Sequence, residues 1–597
     1  MAVATEEVRP RDDTTAPRSA RIFQLALLLA PIVFLLVMAW QHRWLEEDAF
    51  LNFRVVDQIR AGHGPVFNVG ERVEIFTSTL WLAMLTVART VLPFVKIEYL
   101  SIAGGLLLTG LGLWWAERGA AVLWRTDTDA DSSPAVPPLL VPFGAIVFVA
   151  VSASWDWATS GLENGLSLAW LGALTLVVAT VTRPRAPAMS AGRALAVGAL
   201  LGLGPLVRPD LAVVSVVVIV AVLWSRRPRG RELTWLVVGF FALPVAYEIF
   251  RAGYYGALVP NTALAKDSGG MYWSQGWNYL VDLVAPYWLW VPLLAVAATA
   301  VLIARAKAPR PELVRMLALP IGGALHALFI VESGGDYLHA RLLLPSLFAI
   351  VAPFAVIPWR PQFRLPLVVV GVWALVAIVF LRPSIHEQIV PLTHYDVADG
   401  RALMRGLTKP GHRPVLATDF VFDDGVRAKR LEEQGARALV TAARVLPDAT
   451  PARTTLVTPA SGISGYRAGP EVLVQEVNSL GDPVGSRMPP TPFSHPGHRK
   501  REEWPWILAL TTRPGVEDGL DVRTLEKTDF PAPELKPGEV AAARHALRCG
   551  ALADLRDATR DPLTISRFWS NLTGAIGRTR LEVPRDPFAA ERKFCGP

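Results

Sequence analysis

The sequence predicts a polytopic α-helical membrane protein that ends in a soluble α/β domain. Three observations predict it. Of the 597 residues, 52% are hydrophobic and only 19% charged, and apolar runs of about twenty residues, each long enough to cross a bilayer, recur through the first two thirds. Arginines collect in short segments between these runs, as in RRPRGR (226–231) and RAKAPRPELVR (305–315). Beyond about residue 383 the long runs stop, and Pro, Gly and charged residues break the chain into short mixed segments. A net charge of +7 taken alone would fit a nucleic-acid partner, but the positive-inside rule explains its placement, so no nucleic acid is expected.

The first apolar run, 22–40, follows a polar Arg-bearing tail (1–21) and lacks a small-residue cleavage site, so it reads as a retained span behind a cytoplasmic tail. Further runs follow near 76–95, 98–118, 137–153, 164–182, 191–207, 209–224, 233–252, 277–304, 313–331, 339–357 and 365–382. The Arg-rich segments 183–193, 225–231, 305–315 and 359–364 belong inside, whereas 152–163 and 332–340 carry no Lys or Arg and belong outside. Counting back makes 119–136 cytoplasmic and the loop 41–75 external. An odd number of crossings must then fit between 76 and 118, too few residues for three. The run 76–95, interrupted by Arg89 and Pro93, therefore reads as a re-entrant or interfacial helix, which leaves eleven spans across 22–382. The segment 383–597, with PVLATDF and ARALVTAARVL, reads as an external α/β domain. It holds the two cysteines, Cys549 and Cys595, which either form a disulfide there or remain two unpaired thiols.

In HRWLEEDAFLNFRVV (42–56) three acids stand within about two helical turns of the lipid edge. A helix over 45–60 gathers Leu45, Ala49, Phe53 and Val56 on one side. Glu47 then falls beside Arg54 and Gln58, and Glu46 near Asp57, both on the solvated side. Asp48 projects between Val55 and Ile59, with Asn52 one turn away. An acid on an apolar flank is expected to have a raised pKa, which suits a general base. The competing reading is a helix cap, or a pair with an Arg from another loop.

Other polar groups sit at the outward ends of runs: Glu163 in SGLEN, Arg208 and Asp210 in VRPD, Lys266 in YYGALVPNTALAK, and Asp336, His339 and Arg341 in GGDYLHARLLLP. Each has a plain alternative, Glu163 as a first-turn helix acid, Arg208 paired with Asp210, and His339 hydrogen-bonded in a packed interface. Their coincidence on one face suggests an external cavity in which Lys266, Arg208, Arg341 and His339 hold the phosphate of a membrane lipid. The chain has no Walker-type glycine loop, HExxH or CxxC, so nucleotide hydrolysis and zinc catalysis lack support, and no metal ligands are assigned.

EEDAFLNFRVVDQIRAGHGPVFNVGERVE, TSTLW, SGLEN, RPD, YYGALVPNTALAK and GGDYLHARLLLP, in that order, resemble the AftB family of actinobacterial terminal arabinofuranosyltransferases. The resemblance covers most of the membrane region and implies the GT-C fold. It implies a glycosyltransferase of the plasma (inner) membrane whose active site and C-terminal domain face the periplasm. The implied donor is decaprenylphosphoryl arabinose. The implied acceptor is cell-wall arabinan, in arabinogalactan and lipoarabinomannan, which receives terminal β-1,2-linked arabinofuranose. An acidic pair in the first external loop is the catalytic signature of the class, usually two aspartates; here it is Glu47 and Asp48. Asp48 becomes the expected base, Glu47 and Glu163 further catalytic candidates, and Asp336, Asp210, Asn261 and Tyr254 substrate-binding or supporting residues. A β-linked donor giving a β-linked product is net retention, which one displacement with one base does not produce. A carboxylate acting as nucleophile or stabilising an oxocarbenium ion remains open. The alternatives are another GT-C enzyme, such as a mannosyltransferase using polyprenyl-phosphate mannose, a non-enzymatic lipid-sugar flippase, or a scaffold that binds through its tail.

Overall fold

The computed structural model describes residues 18–124, 139–183, 186–305, 310–381, 397–491, 496–525 and 534–596. Most of the expected tail 1–21, much of the loop 119–136 and the expected boundary near 383 lie outside the described residues. Among the described residues, seven helices are long and apolar enough to cross a membrane: Arg18–Gln41, Ile97–Leu123, Asn164–Val181, Pro209–Arg226, Gly230–Tyr255, Leu313–Glu332 and Pro361–Val379. Four shorter apolar helices accompany them, Thr79–Val91, Ala191–Gly202, Trp290–Arg305 and Leu344–Phe354.

The first helices are α1 (Arg18–Gln41), α2 (Glu47–Arg60), α3 (Thr79–Val91) and α4 (Ile97–Leu123). Helix α4 packs along the helix Asn164–Val181 on a seam of glycines seven residues apart. A Cβ at Gly112 would lie 2.6 Å from the carbonyl of Leu168, and one at Gly172 would lie 2.1 Å from that of Gly112. In lipid no hydrophobic drive pulls helices together, so backbones that approach this closely supply the contact.

Two apolar runs do not become simple spans. The 137–153 run forms β1 (Leu140–Pro142) and a short helix Gly144–Ala150, and the 339–357 run forms the helix Leu344–Val351, a 3-10 turn and the start of β2 (Val356–Pro358). Prolines 142, 353 and 358 lack the amide donor that would continue a helix, and β1 pairs antiparallel with β2 instead. The 277–304 run breaks between Trp273–Val284 and Trp290–Arg305, where Pro286 precedes Trp288 at φ +50°. Hydrogen bonds sort the connections into two ends. Trp124 Nε1 donates to the Val356 carbonyl, Gln24 bonds Leu140, and Arg226 donates to the Val181 and Pro187 carbonyls at one end. The loop 42–78, the segments 253–275 and 332–341 and the C-terminal residues gather at the other.

The C-terminal region carries a four-stranded sheet in the order β4-β3-β5-β6, with β3 (Leu439–Val440), β4 (Val445–Leu446), β5 (Thr455–Thr458) and β6 (Leu473–Glu476). The β3–β5 and β5–β6 pairs are parallel, and the helix Ser461–Ala468 crosses between β5 and β6. From Trp504 the described chain is chiefly helical, and a Cys549–Cys595 disulfide joins the ends of its last helices.

This region covers the side of α2 that the sequence assigned to solvent. Arg54 is 1% exposed and donates to the carbonyls of Phe67, Gly465, Gly469 and Val472 at 2.5–2.9 Å, and Gln58 donates to Pro470. The two residues are a buried clasp, because the helix Ser461–Ala468 lies against α2. Each carbonyl stranded by loss of the guanidinium costs about 1–3 kcal/mol. Arg54→Ala is therefore expected to lower stability by about 3 kcal/mol or more, measured by unfolding in detergent. A wild-type unfolding midpoint would show that the clasp does not hold the two regions together.

Candidate active site

Asp48 sits in the first turn of α2 because Glu46 caps that helix: the Glu46 Oε2 accepts from the Asp48 amide at 2.6 Å. From there the Asp48 Oδ2 meets Arg341 Nη1 at 3.2 Å and Lys266 Nζ at 3.7 Å. Arg341 Nη1 also lies 3.5 Å from Asp336 Oδ2. Burial pushes the Asp48 carboxyl up, but Lys266, Arg341 and His498 outweigh it and hold the group below the usual carboxylate range. The expected raised pKa is thus corrected. The apolar flank is real, and cations from two other segments reach across it, as the competing reading of an Arg pair had it.

Its neighbours behave differently. Glu46 is fully buried, and burial together with the Asp48 charge pushes its carboxyl up to about 8. It is not the solvated acid the helical wheel implied. Glu47 turns into the C-terminal region, where its Oε1 accepts from the amides of Gly462 at 2.5 Å and Ile463 at 3.2 Å. Burial first, then the charges of Asp48 and Glu46, raise it well above the ordinary value. A Cβ at Gly462 would lie 2.1 Å from the Glu47 carbonyl, so this approach needs glycine.

Glu163 and Asp48 line one small hollow with Asn52, Thr77, Lys266 and Arg341. It adjoins a larger open cavity of ≈170 Å³, lined among others by Arg208, Asp210, Lys266, Asp336, Arg341 and Arg499. Arg208 is engaged by Glu163 at 2.5 Å and by Asp210 at 3.0 Å, and Asp210 continues through His326 at 2.8 Å to Ser346. The plain pairing of Arg208 with Asp210 is therefore present, and Glu163 joins it.

Three expected site residues stand elsewhere. His339 turns to another hollow beside Trp44, Trp157 and Arg401, with Nδ1 on Asp282 at 2.6 Å and Nε2 on Tyr287 at 3.2 Å. Its neighbour Arg341 faces the Asp48 side because Ala340, at φ +62°, reverses the chain between them. Asn261 fastens the C-terminal region, donating to the carbonyls of Ser479, Leu480 and Asp482. Tyr254 stacks on Phe250, and its carbonyl accepts from Arg72. Sequence reasoning missed Gly497 and Arg499, which bring the C-terminal region to the cavity wall. The basic stretch GHRK (497–500) was their only signal.

The arrangement pairs an ionised carboxylate with cations at the mouth of an open cavity. It suits a substrate that presents an anion beside an electrophilic carbon. Among the described residues, the one group of His, Cys and acid side chains close enough to suggest a metal, His545, Cys549 and Cys595, contains the disulfide and lies far along the chain from this cavity.

Residues 426–592 match the AftB family C-terminal domain. The chain is 30% identical over 613 residues to a terminal β-(1→2)-arabinofuranosyltransferase of Mycobacterium tuberculosis, covering 92% of this chain and 94% of the relative. It is 29% identical over 644 residues to the protein of that name from Corynebacterium glutamicum, covering 97% and 89%.

The opposite protonation of Glu46 and Asp48 generates a pH prediction. A raised carboxyl contributes stability that is present below its unfolded value and is lost as pH rises through about 8; the lowered Asp48 contributes above its unfolded value and loses it in acid. Glu46→Gln keeps a neutral, hydrogen-bonding side chain. It is expected to unfold at a higher temperature than wild type near pH 9 and to lose that advantage near pH 5, each pKa unit being worth about 1.4 kcal/mol. Parallel stability–pH curves for the two proteins would refute the buried neutral Glu46.

Proposed function

The chain belongs to the family of terminal β-(1→2)-arabinofuranosyltransferases, and we propose that its Asp48 cavity transfers arabinofuranose from decaprenylphosphoryl arabinose to the ends of cell-wall arabinan. The protein is a glycosyltransferase that acts in cell-wall arabinan synthesis. The observation that carries the donor reading is the Asp48–Arg341–Lys266 cluster. A phosphodiester brings the same charge that Asp48 now offers these cations. Donor binding moves Lys266 and Arg341 toward the phosphate and releases the carboxylate toward the anomeric carbon.

An acid held ionised suits attack better than proton removal. In the proposed route Asp48 Oδ bonds to the anomeric carbon as the bond to the phosphate oxygen breaks, with the electron pair leaving on decaprenyl phosphate. The acceptor 2-hydroxyl then displaces Asp48, and its proton passes to the departed phosphate. Two displacements give net retention. Glu163, fixed on Arg208, and Asp336, sharing Arg341 with Asp48, orient these cations. The runner-up, a mannosyltransferase, would use the same cluster, and the family resemblance speaks against it.

The cavity end belongs to the periplasmic side under this reading, with the segment from about 383 external, the helix Thr79–Val91 interfacial and eleven crossings in all. The Arg-rich segments at the opposite end support it. Single cysteines at Arg229 and Lys409 are expected to react with impermeant reagents from the inside and the outside respectively. Labelling of both from one side would overturn the topology.

Asp48→Asn preserves shape but offers neither nucleophile nor base. Transfer from decaprenylphosphoryl arabinose to a synthetic arabinan acceptor is expected to fall by about 10²- to 10⁴-fold or more, with the fold intact by thermal unfolding. Near-normal turnover by this variant would remove Asp48 from the chemistry.

A further inference from the structure

Arg499 lies in the C-terminal region, yet it lines the same cavity as Lys266, Arg208 and Arg341. Its position is built in detail. The guanidinium stacks on the Tyr272 ring at 3.4 Å, and Nη2 donates to Gln275 Oε1 at 2.7 Å and lies 3.5 Å from the Ser333 carbonyl. A Cβ at Gly334, at φ +91°, would stand 2.5 Å from Nη2, so the double glycine before Asp336 leaves room for it.

The other cavity arginines are already balanced. Arg208 meets Glu163 and Asp210, and Arg341 meets Asp48 and Asp336. Arg499 hydrogen-bonds to neutral acceptors, and Asp267 acts on it through space without a direct ion pair, since its carboxylate accepts from the Tyr272 hydroxyl at 2.5 Å and pairs with Lys500 at 3.3 Å. Its hydrogen bonds to Gln275 and Ser333 both use Nη2, whereas a guanidinium carries five N–H donors in a fork that fits phosphate oxygens. Burial also pulls its pKa below the usual arginine value, the direction that an anion in the cavity would reverse.

We propose that Arg499 is a third cation for the polyprenyl phosphate, beside Lys266 and Arg341, so that the C-terminal region completes the donor site. The proposal rests on the lipid-phosphate reading of the cavity. The arginine of this region and the cations of the membrane region then share one anion.

The test uses the full chain in detergent and three probes: decaprenyl phosphate, decaprenol and inorganic phosphate. Wild type is expected to prefer decaprenyl phosphate over decaprenol. Arg499→Gln should lose about tenfold or more of that preference, with unchanged decaprenol binding and unfolding temperature, and Arg499→Lys should recover part of it. An Arg499→Gln protein that keeps the full preference overturns the assignment. So does equal weakening toward both lipids with a lowered unfolding temperature, which would make Arg499 a staple between regions. Inorganic phosphate binding as tightly as the lipid would replace the lipid by a soluble anion and overturn it as well. Lipid-phosphate binding is read separately from sugar transfer. Failed transfer with the Arg499-dependent preference intact would count against the arabinose reaction and uphold the phosphate contact.

Discussion

A carboxylate at the edge of a membrane stays ionised only if cations come to it, and Asp48 is the place where this chain meets that demand. An unpaired buried charge costs several kcal/mol, so the segments that carry Arg341 and Lys266 must converge on the first turn of α2. Much of the local geometry follows from that convergence. Ala340 takes a left-handed turn that sends Arg341 one way and His339 the other, and Asp336 shares the guanidinium. A second ladder, Glu163–Arg208–Asp210–His326–Ser346, runs from the cavity wall into the bundle.

The C-terminal region is bound to this site and not merely tethered after it. Arg54 and Gln58 of α2 hydrogen-bond its backbone, Glu47 accepts from the first amides of its helix Ser461–Ala468, and Asn261 ties the Lys266 segment to residues 479–486. These contacts lie beside Asp48 in the chain or beside Lys266. Docking of the region and placement of the charges at the cavity therefore share these contacts, which gives a physical reason for a polar face on a helix that solvent does not touch.

That polar face shows where sequence reading reached its limit. The apolar periodicity of α2, the competing reading of Asp48 paired with an arginine from another loop and the gathering of Glu163, Lys266, Arg208, Asp336 and Arg341 near one cavity were legible, because amphipathic spacing and charge at span ends are local signals. The state of Glu46, Glu47 and Arg54 was not. Their partners stand as far as 418 residues away in a region whose approach no local pattern encodes. His339 failed for a related reason: adjacency to Arg341 in sequence says nothing about a left-handed residue between them. The broken helices at 285–289 and 351–356 were marked by proline, but hydropathy alone reads through proline in an apolar run.

Glu46 and Asp48 stand two residues apart, with the Glu46 carboxyl accepting from the Asp48 backbone amide, and their surroundings push the two carboxyls in opposite directions. Two nearby acids cannot both carry charge cheaply in a site of low polarity, so the one that faces cations ionises and the one enclosed by protein keeps its proton. The division assigns Asp48 to charge and Glu46 to the helix cap. Asp48 charge is then available for an anomeric centre as soon as a phosphate draws Lys266 and Arg341 away. A neutral Glu46 behind it adds no repulsion to the electron density gathering at the leaving phosphate. In the proposed route the departing phosphate takes the acceptor proton, so that route needs no separate basic side chain. On this account the departure from a pair of aspartates to Glu47 and Asp48 is harmless. The longer member of the pair faces the C-terminal helix, where an extra methylene reaches the amides of Gly462 and Ile463, and of the two Asp48 alone lines the hollow with Lys266 and Arg341.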